Sequence, residues 1–369
     1  MDNINVRLAN KEYGPIALKI NDENKLEYLK NIILDYWPRN DKKKDYFPAP
    51  QPVSLERRDL NNLITNDYYV CVKSDGMRFL MLCHSGNIYF IDRAFKFYQI
   101  NYNINNNILY NKKEDLENIT GGIYDGELVR NVKNKWQYVV HDCICSCTMN
   151  MSYDNFPSRY KEIIKLVEEI STFDSSVCEI RITSKQFFPF KKLKDLNKLI
   201  NENKLDHITD GLIFTPKDKK IGTGTQFDLY KWKPRNLHTF DFKILIYNNI
   251  INLTEEEKKL NDNDIIKKYG RIPGKIAAYV NNNGKHELYA SCPPGDKSEL
   301  LFLNNLNINC PGFINGNIVE CEYNEDDESF KPIKIRFDKT HPNSNFTVKK
   351  TLSNIKENIT INELIHMTI

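Results

Sequence analysis

The stretch YVCVKSDGMRFLML, Tyr69–Leu82, places a lysine, a serine, an aspartate and a glycine between two short apolar runs. Each run is typical of a buried β-strand, and an Asp-Gly pair is typical of a hairpin turn. Such a turn accounts for Asp75 and Gly76. It does not account for Lys73, because an ammonium group at the end of a hydrophobic strand costs free energy to desolvate. The stretch therefore predicts two strands joined by a turn and leaves the lysine to be explained.

The composition is that of an ordinary soluble protein. The chain has 369 residues, of which 40% are hydrophobic, so it contains two domains or one large one. The formal net charge of +3 gives no global signal for nucleic acid, and any such binding must come from a local patch. The sequence contains neither a signal peptide nor a run long enough to span a membrane. We therefore expect a soluble intracellular protein that binds no membrane.

The nine cysteines follow no regular framework. Cys143, Cys145 and Cys147 alternate along HDCICSC. This spacing suits one face of a strand better than a zinc site, because zinc sites usually use Cys-x2-Cys pairs. The cysteines are interpreted as reduced structural thiols, which agrees with an intracellular compartment.

Hydrophobic periodicity divides the chain into helices and strands. Helices are predicted near residues 24–36, 55–64 (capped by Ser54), 158–170 and 191–204. Strands are predicted throughout 69–142 and again at 210–216 and 226–233. Beyond Lys233-Pro234, five short strands in about 100 residues are typical of a small barrel of the OB type, and the last segment is predicted to be helical.

Lys73 by itself allows two interpretations. Its ammonium group can extend to the surface, or its amine can act as a nucleophile. A lysine nucleophile must be deprotonated at neutral pH, which burial and neighbouring cations favour. Arg78 lies across the turn, and Lys231 and Lys233 alternate in YKWKP, so both of these lysines point the same way from one strand. Such a pair suits an anionic phosphate, and a solvated strand face is the alternative.

Carboxylates stand at several predicted strand ends. Glu127 follows a predicted turn in YDGELV, Asp210 precedes a buried strand in ITDGLIF, and Asp92 is next to Arg93. Each alone can be a turn residue or part of a surface ion pair. Together with Lys73 they could hold a magnesium ion and a nucleotide.

A second charged cluster lies near the C-terminus. Arg336, Asp338, Lys339 and Asn343 fall within the eight residues of RFDKTHPN. An ordinary charged loop is the alternative to a phosphate-binding element.

The charged elements occur in an order that resembles the mRNA capping guanylyltransferases, which are covalent nucleotidyltransferases related to DNA and RNA ligases. The resemblance runs from about residue 52 to the C-terminus. The chain is also similar to the compact, single-function enzymes of large DNA viruses of algae. The matching elements are Lys73-Ser74-Asp75-Gly76, Asp92-Arg93, Asp125–Leu128, Lys185 within IRITSKQFF, Thr209–Ile213, Lys231–Pro234 and Arg336–Asn343. Seven elements in order are a far more specific signal than any one of them.

The resemblance implies an α+β fold with two domains and a cleft that opens and closes. A nucleotidyltransferase domain of antiparallel sheets with flanking helices would cover residues 1–237, and an OB-fold barrel would cover 238–345. A C-terminal helical segment, 346–369, would return to the first domain. The resemblance also implies a two-step reaction. The Lys73 amine would attack the α-phosphorus of GTP, and the lysyl-N–GMP so formed would pass GMP to the 5′-diphosphate end of RNA, giving the GpppRNA cap.

The family implies a role for each matching residue of the nucleotidyltransferase domain. Arg78 and Arg93 would contact the ribose or phosphates, and Lys185 would bind the guanine O6. Glu127 would hold the ribose or the metal, Mg²⁺ or Mn²⁺, and Asp210 would support the metal and the α-phosphate. Lys231 and Lys233 would grip the α-phosphate as charge develops on it.

The predicted barrel would supply further catalytic residues. Arg336, Asp338 and Lys339 would orient the β- and γ-phosphates so that pyrophosphate leaves in line with Lys73. Asp241, in HTFDF, matches a carboxylate that relatives need for activity.

Two positions depart from the family pattern. His141 stands where an aromatic residue usually stacks on guanine, and it can either stack or be a core histidine. Phe330 stands where tryptophan is frequent, so the aromatic character is kept.

Two alternatives belong to other functional classes. An ATP-dependent polynucleotide ligase shares the lysine chemistry, but the Arg-x-Asp-Lys element and the segment around Lys185 favour the capping branch. The other is an OB-fold nucleic-acid binder with an inactive transferase domain, which the full set of reactive residues disfavours.

The expected binding partners are GTP and 5′-diphosphate RNA. The length leaves no room for an RNA triphosphatase or a cap methyltransferase as a further domain, so we expect both to be separate proteins. We also expect a monomer. If the protein is viral, the compartment would be the host cytoplasm or nucleus. RNA affinity is expected to be weak and salt-sensitive, because binding an RNA end needs only a few phosphate contacts.

Overall fold

The computed structural model of the chain divides into two units. The residues it describes are 6–8, 11–13, 17–36, 47–85, 87–100, 121–147, 149–171, 180–246, 254–260, 264, 267–268, 276–292, 297–337 and 339–368. The first unit comprises Met1–Pro234 and Ile359–Ile369, and the second comprises Arg235–Asn358. The predicted domain limits at residues 237 and 345 stay predictions.

The first unit contains one large sheet, a smaller sheet and a two-stranded ribbon. In the large sheet the strand order is β11-β10-β9-β6-β7-β8-β3, and β12 pairs in parallel with β10. Its strands are β3 (Ala17–Lys19), β6 (Met77–His84), β7 (Asn87–Ile91), β8 (Phe97–Ile100), β9 (Gly122–Arg130), β10 (Trp136–Ser146), β11 (Met149–Asn150) and β12 (Ile180–Ser184). The ribbon pairs β1 (Val6–Leu8) with β2 (Lys11–Tyr13).

The smaller sheet of the first unit has the strand order β13-β5-β14-β15-β4. Its strands are β4 (Pro50–Ser54), β5 (Tyr68–Ser74), β13 (Phe188–Pro189), β14 (Thr209–Pro216) and β15 (Gly224–Trp232). One face of this sheet buries apolar side chains that include Val70, Phe214 and Trp232. Each such side chain contributes about 1.5–3 kcal/mol to the free energy of unfolding.

The opening stretch joins these two sheets and does not form a hairpin. β5 pairs with β13 and β14, whereas β6 pairs with β7 and β9. Asp75 and Gly76 therefore carry the chain from the smaller sheet to the large one. A Cβ on Gly76 would lie 2.4 Å from the Leu128 carbonyl oxygen, so the crossing needs glycine for its close backbone approach. The hairpin expectation was wrong because local turn chemistry does not tell which strands pair.

Helices of the first unit cover the sheets. They are α1 (Glu23–Tyr36), α2 (Leu60–Thr65), α3 (Phe156–Ser171) and α4 (Leu193–Asn201), with 3-10 turns at Arg57–Asp59 and Phe190–Lys192. α1 confirms the helix predicted at 24–36 and buries Leu29 and Ile33. Ser54 is not a helix cap, because it ends β4. The backbone N–H of Glu56 instead donates to Asp59 Oδ2 at 3.0 Å at the start of the turn.

The second unit is built on a five-stranded antiparallel sheet with the strand order β18-β17-β16-β19-β20. Its strands are β16 (Thr239–Ile246), β17 (Ile276–Asn282), β18 (Lys285–Cys292), β19 (Ile318–Asn324) and β20 (Ser329–Ile335), with 3-10 turns at Arg235–Leu237 and Glu257–Lys259. Among the described residues no pairing of β18 with β20 closes this sheet, so the OB-type barrel stays a prediction. A helix that the sequence did not predict, α5 (Lys297–Asn309), packs against β20.

The C-terminal segment is divided between the units. α6 (Asn345–Glu357) belongs to the second unit. Ser344 caps its N-terminus, because the Ser344 hydroxyl accepts a hydrogen bond from the Thr347 N–H. Asn358 adopts a left-handed conformation with φ 45° and ends this helix. α7 (Ile361–His366) belongs to the first unit. Only the last part of the predicted segment 346–369 therefore joins the first unit, because Val348 and Ile355 of α6 are buried in the core of the second.

The fold as a whole is mixed α+β with several separate sheets. Within the described ranges, no helix combines the length and the apolar character that crossing a bilayer requires.

Candidate active site

Lys73 lies at the end of β5 and is held by a carboxylate. Its Nζ donates to Asp210 Oδ1 at 2.7 Å, and the other oxygen, Oδ2, lies 2.6 Å from Lys233 Nζ. Although burial alone would raise it, the charges of Lys73 and Lys233 lower the pKa of Asp210 below its ordinary value. One aspartate thus fixes the positions of two ammonium groups.

A β-bulge gives Asp210 this position. Along β14 and β5, Thr209 pairs with Ser74 and Gly211 pairs with Lys73, so Asp210 is an extra residue with no partner in the ladder. A bulge re-aims the side chain of its extra residue, here toward Lys73. Its sequence context predicts a position before the strand, but Asp210 lies inside β14.

Lys231 completes a group of cations on the same face of the smaller sheet. Lys231 pairs with Ile213 of β14, and Ile213 pairs with Cys71 of β5. Because residues two apart on a strand face the same side, Lys73 lies on the same face as Cys71 and Lys231. Burial, together with the charges of Lys73, Lys233 and Arg93, lowers the pKa of Lys231 to about 8. Asp210 opposes this effect only in part, so the cluster carries an excess of positive charge.

Arg78 is bound to a buried aspartate rather than directed at Lys73. Its Nε donates to Asp125 Oδ1 at 2.9 Å, and its Nη2 forms a second bond to Oδ2 of the same carboxylate. His141 Nε2 lies 3.3 Å from Asp125 Oδ1. Although burial alone would raise it, Arg78 and His141 hold the pKa of Asp125 well below its ordinary value. Asp125 therefore orients both of these predicted site residues.

A second bulge positions His141. Along β9 and β10, Gly126 pairs with Val140 and Asp125 pairs with Asp142, so His141 is the extra residue. About a quarter of its side chain is exposed (26%), which leaves part of the ring accessible to a ligand. The predicted stacking of His141 on guanine stays a prediction.

Glu127 lies beside Asp125 in the middle of β9, not after a turn as expected. Gly126 has no room for a side chain, because a Cβ there would lie 2.5 Å from Tyr138 Cζ. Burial raises the pKa of Glu127, and the charges of His141, Lys185 and Arg93 oppose this increase. The carboxyl group makes no hydrogen bond to another described side chain, so it is available to a ligand.

Lys185 is the most deeply buried of the predicted site residues, with 4% of its surface exposed. It follows the end of β12, and its Nζ donates to Ser74 Oγ. Burial lowers its pKa, and Lys73 acts in the same direction. Ser74 Oγ also lies 2.6 Å from His207 Nε2, and His207 Nδ1 bonds Asp206.

A divalent cation would find two candidate carboxylates in the first unit. The described residues contain no group of three or more His, Cys, Asp or Glu side chains that could hold a metal by themselves. Mg²⁺ commonly binds one or two carboxylates together with substrate phosphates. Glu127, whose carboxyl group has no hydrogen bond from a side chain in the described part of the protein, and Asp210 fit this mode.

The second unit has its own charged cluster around Asp241. Arg336 Nη1 lies 3.0 Å from Asp241 Oδ1, and Lys339 Nζ is bound to Oδ2. The backbone N–H of Asp241 donates to Asn343 Oδ1 at 2.9 Å. Asp241 is only 5% exposed. It therefore holds Arg336, Lys339 and Asn343 and is a positioning residue for Arg336 and Lys339.

Arg336 and Lys339 also line a cavity of about 240 Å³ in the second unit. Lys243 and His286 line it as well, and Lys243 Nζ lies 3.2 Å from His286 Nδ1. Four basic side chains around one cavity suit an anion. Asp338, the other predicted residue of this element, lies outside the described residues.

The structure thus brings together most of the predicted residues within each unit. Lys73, Lys231, Lys233 and Asp210 form one cluster of the first unit, and Arg78 and His141 meet at Asp125. Sequence reasoning did not assign roles to four contact residues, namely Ser74, Asp125, Asp206 and His207. Ser74 and Asp125 lie within recognised elements, but their contacts depend on strands remote in the sequence.

The first unit can therefore hold a phosphate group next to a lysine amine. The ammonium groups of Lys231 and Lys233 attract anionic oxygens, and Lys73 Nζ stands beside them. Buried polar groups at Lys185, Arg78 and Glu127 offer donors and an acceptor for the remainder of a nucleotide.

Family comparison divides the chain at nearly the same place as the structure. Residues 17–235 match the family described as mRNA capping enzyme, catalytic domain. Residues 237–365 match the family described as mRNA capping enzyme, C-terminal domain. Together the two matches cover nearly the whole chain.

Individual relatives carry the same description. The chain is 30% identical over 367 residues to the mRNA-capping enzyme subunit alpha of Candida glabrata, covering 86% of this chain and 79% of that protein. It is 28% identical over 363 residues to the protein of the same name from Saccharomyces cerevisiae, covering 86% and 77%. The mRNA-capping enzyme of Danio rerio is 29% identical over 212 residues, which are 54% of this chain and 34% of that protein.

Among solved structures, the ATP-dependent DNA ligase of bacteriophage T7 in complex with ATP matches with a TM-score of 0.38 and 14% identity. The match covers 80% of this chain and 97% of the ligase chain. A TM-score of this size does not establish a shared fold.

Proposed function

Because the chain belongs to the mRNA capping enzyme family and is an mRNA guanylyltransferase, we propose that Lys73 is its nucleophile. The observation that carries this proposal is the contact of Lys73 Nζ with Asp210, beside Lys231 and Lys233. An amine that is positioned by a carboxylate and surrounded by cations is suited to attack a phosphate.

The proposed first step forms one bond and breaks one bond. The Lys73 nitrogen bonds to the α-phosphorus of GTP, the bond to the β-phosphate oxygen breaks, and the amine releases its proton. The products are lysyl-N–GMP and pyrophosphate. In the second step a terminal oxygen of 5′-diphosphate RNA bonds to the phosphorus and the bond from phosphorus to the lysine nitrogen breaks. The nitrogen takes up a proton from solvent, which regenerates the amine.

Lys231 and Lys233 would stabilise the charge that develops on the α-phosphate. Asp210 keeps Lys233 and Lys73 at fixed positions, so little reorganisation is needed at the moment of reaction. A bound Mg²⁺ or Mn²⁺ ion would neutralise phosphate charge, and Glu127 and Asp210 would hold it.

The remaining predicted residues are proposed to bind the nucleoside. Lys185 would donate to the guanine O6, and His141 would stack on the base. Arg78 and Arg93 would contact the ribose or phosphates. The Asp125 carboxylate supports this proposal, because it fixes the orientations of Arg78 and His141.

In the second unit, Arg336, Asp338 and Lys339 are proposed to orient the β- and γ-phosphates, and the two cations would contact them. The cation-lined cavity supports this proposal for Arg336 and Lys339. Asp241 would act through these two residues. An Asp241→Asn variant should therefore lose activity together with Arg336→Ala.

The relatives in Candida glabrata and Saccharomyces cerevisiae are named as alpha subunits. This naming supports the proposal that other proteins supply the RNA triphosphatase and the cap methyltransferase. We also propose that the protein acts on GTP and RNA in a soluble intracellular compartment.

Nucleotide selection tests the assignment directly. Incubation of the protein with Mg²⁺ and α-labelled GTP should give a labelled protein band on a denaturing gel, because the phosphoramidate bond survives denaturation at alkaline pH. Labelled ATP should give at least about 100-fold less label, because a site that binds the guanine O6 leaves buried donors unpaired with adenine. Labelling by ATP and not by GTP is the result expected of a polynucleotide ligase and would refute the assignment.

Lys231 predicts how GTP affinity depends on pH. Because its pKa is lowered to about 8 in the free protein, Lys231 is charged below this pH and loses its charge above it. Affinity for the α,β-methylene analogue of GTP, which does not react, should fall roughly tenfold between about pH 7.5 and about pH 9.5. Calorimetric titration across this range measures the effect.

Lys231→Arg is the matched control, because arginine keeps its charge throughout this range. The variant should bind the analogue with nearly constant affinity above pH 7.5. The same decline in both proteins would show that another group is responsible.

A further inference from the structure

A chain of hydrogen bonds passes through Ser74, the residue next to Lys73. The roles proposed above involve only one of its members, Lys185. The chain begins at Lys185 Nζ, passes through the Ser74 hydroxyl to His207 Nε2, and continues from His207 Nδ1 to Asp206 Oδ1. The Ser74 Oγ to His207 Nε2 distance is 2.6 Å. Ser74, Lys185 and His207 are all at least nine-tenths buried. Such a chain costs free energy to bury unless every member is satisfied.

The chemistry of the groups fixes the direction of the bonds. A protonated Lys185 can only donate, so Ser74 Oγ accepts from it. The single hydroxyl hydrogen of Ser74 must then be donated to His207 Nε2. His207 therefore carries its own hydrogen on Nδ1 and donates it to the Asp206 carboxylate. This one arrangement satisfies the Ser74 hydroxyl and both ring nitrogens of His207.

Asp206 is a fixed anionic end to the chain. Its Oδ2 accepts from Gln137 Nε2 at 2.7 Å, and the same nitrogen lies 2.9 Å from Thr183 Oγ1. The hydrogen bond from His207 lowers the pKa of Asp206 to about 2. Asp206 thus stays ionised over the whole physiological range and holds the His207 tautomer.

The other end of the chain leaves Lys185 with unused donors. One of its three N–H groups is bonded to Ser74, and the described residues provide no hydrogen-bond acceptor for the other two. Because Ser74 fixes the position of Nζ, the two remaining N–H groups have fixed directions. A buried donor that lacks a partner costs free energy until a ligand supplies an acceptor.

We propose that His207 and Asp206 are positioning residues for base selection, which act through Ser74 to hold Lys185 as a donor to the 6-oxo group of a purine. The proposal rests on the proposed contact of Lys185 with guanine. A 6-oxo group accepts a hydrogen bond, whereas the 6-amino group of adenine would present hydrogens to an ammonium group that cannot rotate away. Selection for a 6-oxopurine therefore depends on residues that touch no part of the nucleotide.

The test compares single-turnover labelling by GTP, ITP and ATP in position-207 and position-74 variants. ITP keeps the 6-oxo group and lacks the 2-amino group, so it isolates the proposed contact. His207→Ala should raise the KM for GTP and for ITP by roughly tenfold or more, with a much smaller change in the limiting rate, and should narrow the GTP-to-ATP preference by at least tenfold. His207→Gln should restore most of the preference, because its amide oxygen can accept from Ser74.

A second pair of variants protects the test against a folding defect at position 207. Ser74→Ala removes the hydroxyl that links Lys185 to His207 and so interrupts the series of hydrogen bonds. Ser74→Thr keeps this hydroxyl. Alanine should reproduce the selectivity loss and threonine should not. His84→Ala is the matched control, because His84 is also held by two side chains, Tyr28 and Tyr36, and should leave the nucleotide preference unchanged.

Two other outcomes separate this inference from the proposed function. If Lys185→Ala loses the preference for 6-oxopurines while His207→Ala and Ser74→Ala keep it, the positioning role is wrong and the guanine contact stands. If Lys185→Ala keeps the preference as well, the guanine contact itself is wrong. Equal losses in KM and limiting rate that His207→Gln and Ser74→Thr do not restore would mean a purely structural role and would overturn the inference.

Discussion

Lys73→Ala is expected to abolish transfer of labelled GMP from GTP to the protein, with a loss of at least about 10⁴-fold in the rate of adduct formation. The reason is chemical, because the methyl group that remains cannot form a bond to phosphorus. Formation of GpppRNA should disappear to the same extent, since the proposed second step consumes the adduct. Denaturing gels with α-labelled GTP and thin-layer analysis of the RNA product measure the two steps separately.

Three controls make the Lys73 result specific. Lys73→Arg retains a cation for Asp210 but cannot be deprotonated near neutral pH, so it should be equally inactive. Lys194→Ala removes an exposed lysine on α4 and should keep full activity. Binding of the α,β-methylene analogue should persist in Lys73→Arg. Adduct formation by Lys73→Ala at more than about 1% of the wild-type rate would show that another residue is the nucleophile.

Gly211→Ala is expected to produce the largest loss of stability among single substitutions at the site. A Cβ at this position would lie 2.0 Å from the Trp232 carbonyl oxygen, on the neighbouring strand of the same sheet. Neither strand can move away easily, because Leu212 and Trp232 are paired across β14 and β15. Overpacking against backbone should lower the free energy of unfolding by roughly 3 kcal/mol or more.

The matched control for this substitution is Gly222→Ala. A Cβ on Gly222 would meet nothing within 4 Å, so the variant should unfold at nearly the wild-type denaturant concentration. Urea unfolding followed by fluorescence measures both variants. If Gly211→Ala unfolds at the same urea concentration as Gly222→Ala, the close approach of β14 to β15 is wrong. Gly211→Ala should also lose adduct formation in the fraction that stays folded, because Asp210 precedes the clash directly.

The sequence was informative where function is carried by residue type and order. Lys73, Lys231 and Lys233 could be assigned to one phosphate site because their alternation and their neighbours limit the chemistry available to them. The amphipathic helix at Glu23–Tyr36 was equally accessible, since its apolar residues repeat at helical spacing. Both signals come from residues close together in the sequence, whose spacing follows the repeat of a single strand or helix.

Other features depend on pairing between distant segments. The separation of β5 and β6 into different sheets cannot be read from Asp75 and Gly76, because a turn and a crossing use the same residues. The contact of Ser74 with His207 joins positions 133 residues apart, and no periodicity connects them. α5 was missed for another reason. Its buried residues Phe302 and Leu306 are four positions apart, as in a helix, but the exposed residues Leu300 and Leu301 are also apolar, so the sequence shows no separate polar face.

The two β-bulges have a consequence for how such a site can be lost. In a regular antiparallel ladder, adjacent residues of a strand face opposite sides. Substitutions alone would therefore not place both Asp210 and Gly211 opposite Lys73, as the bulge does. The same constraint applies to His141, which reaches Asp125 because β10 carries one extra residue between Val140 and Asp142. Deletion of Asp210 or of His141 would therefore remove the extra residue of one bulge, and the residues on either side could keep their partners in the ladder. The site thus depends on strand length as much as on residue identity.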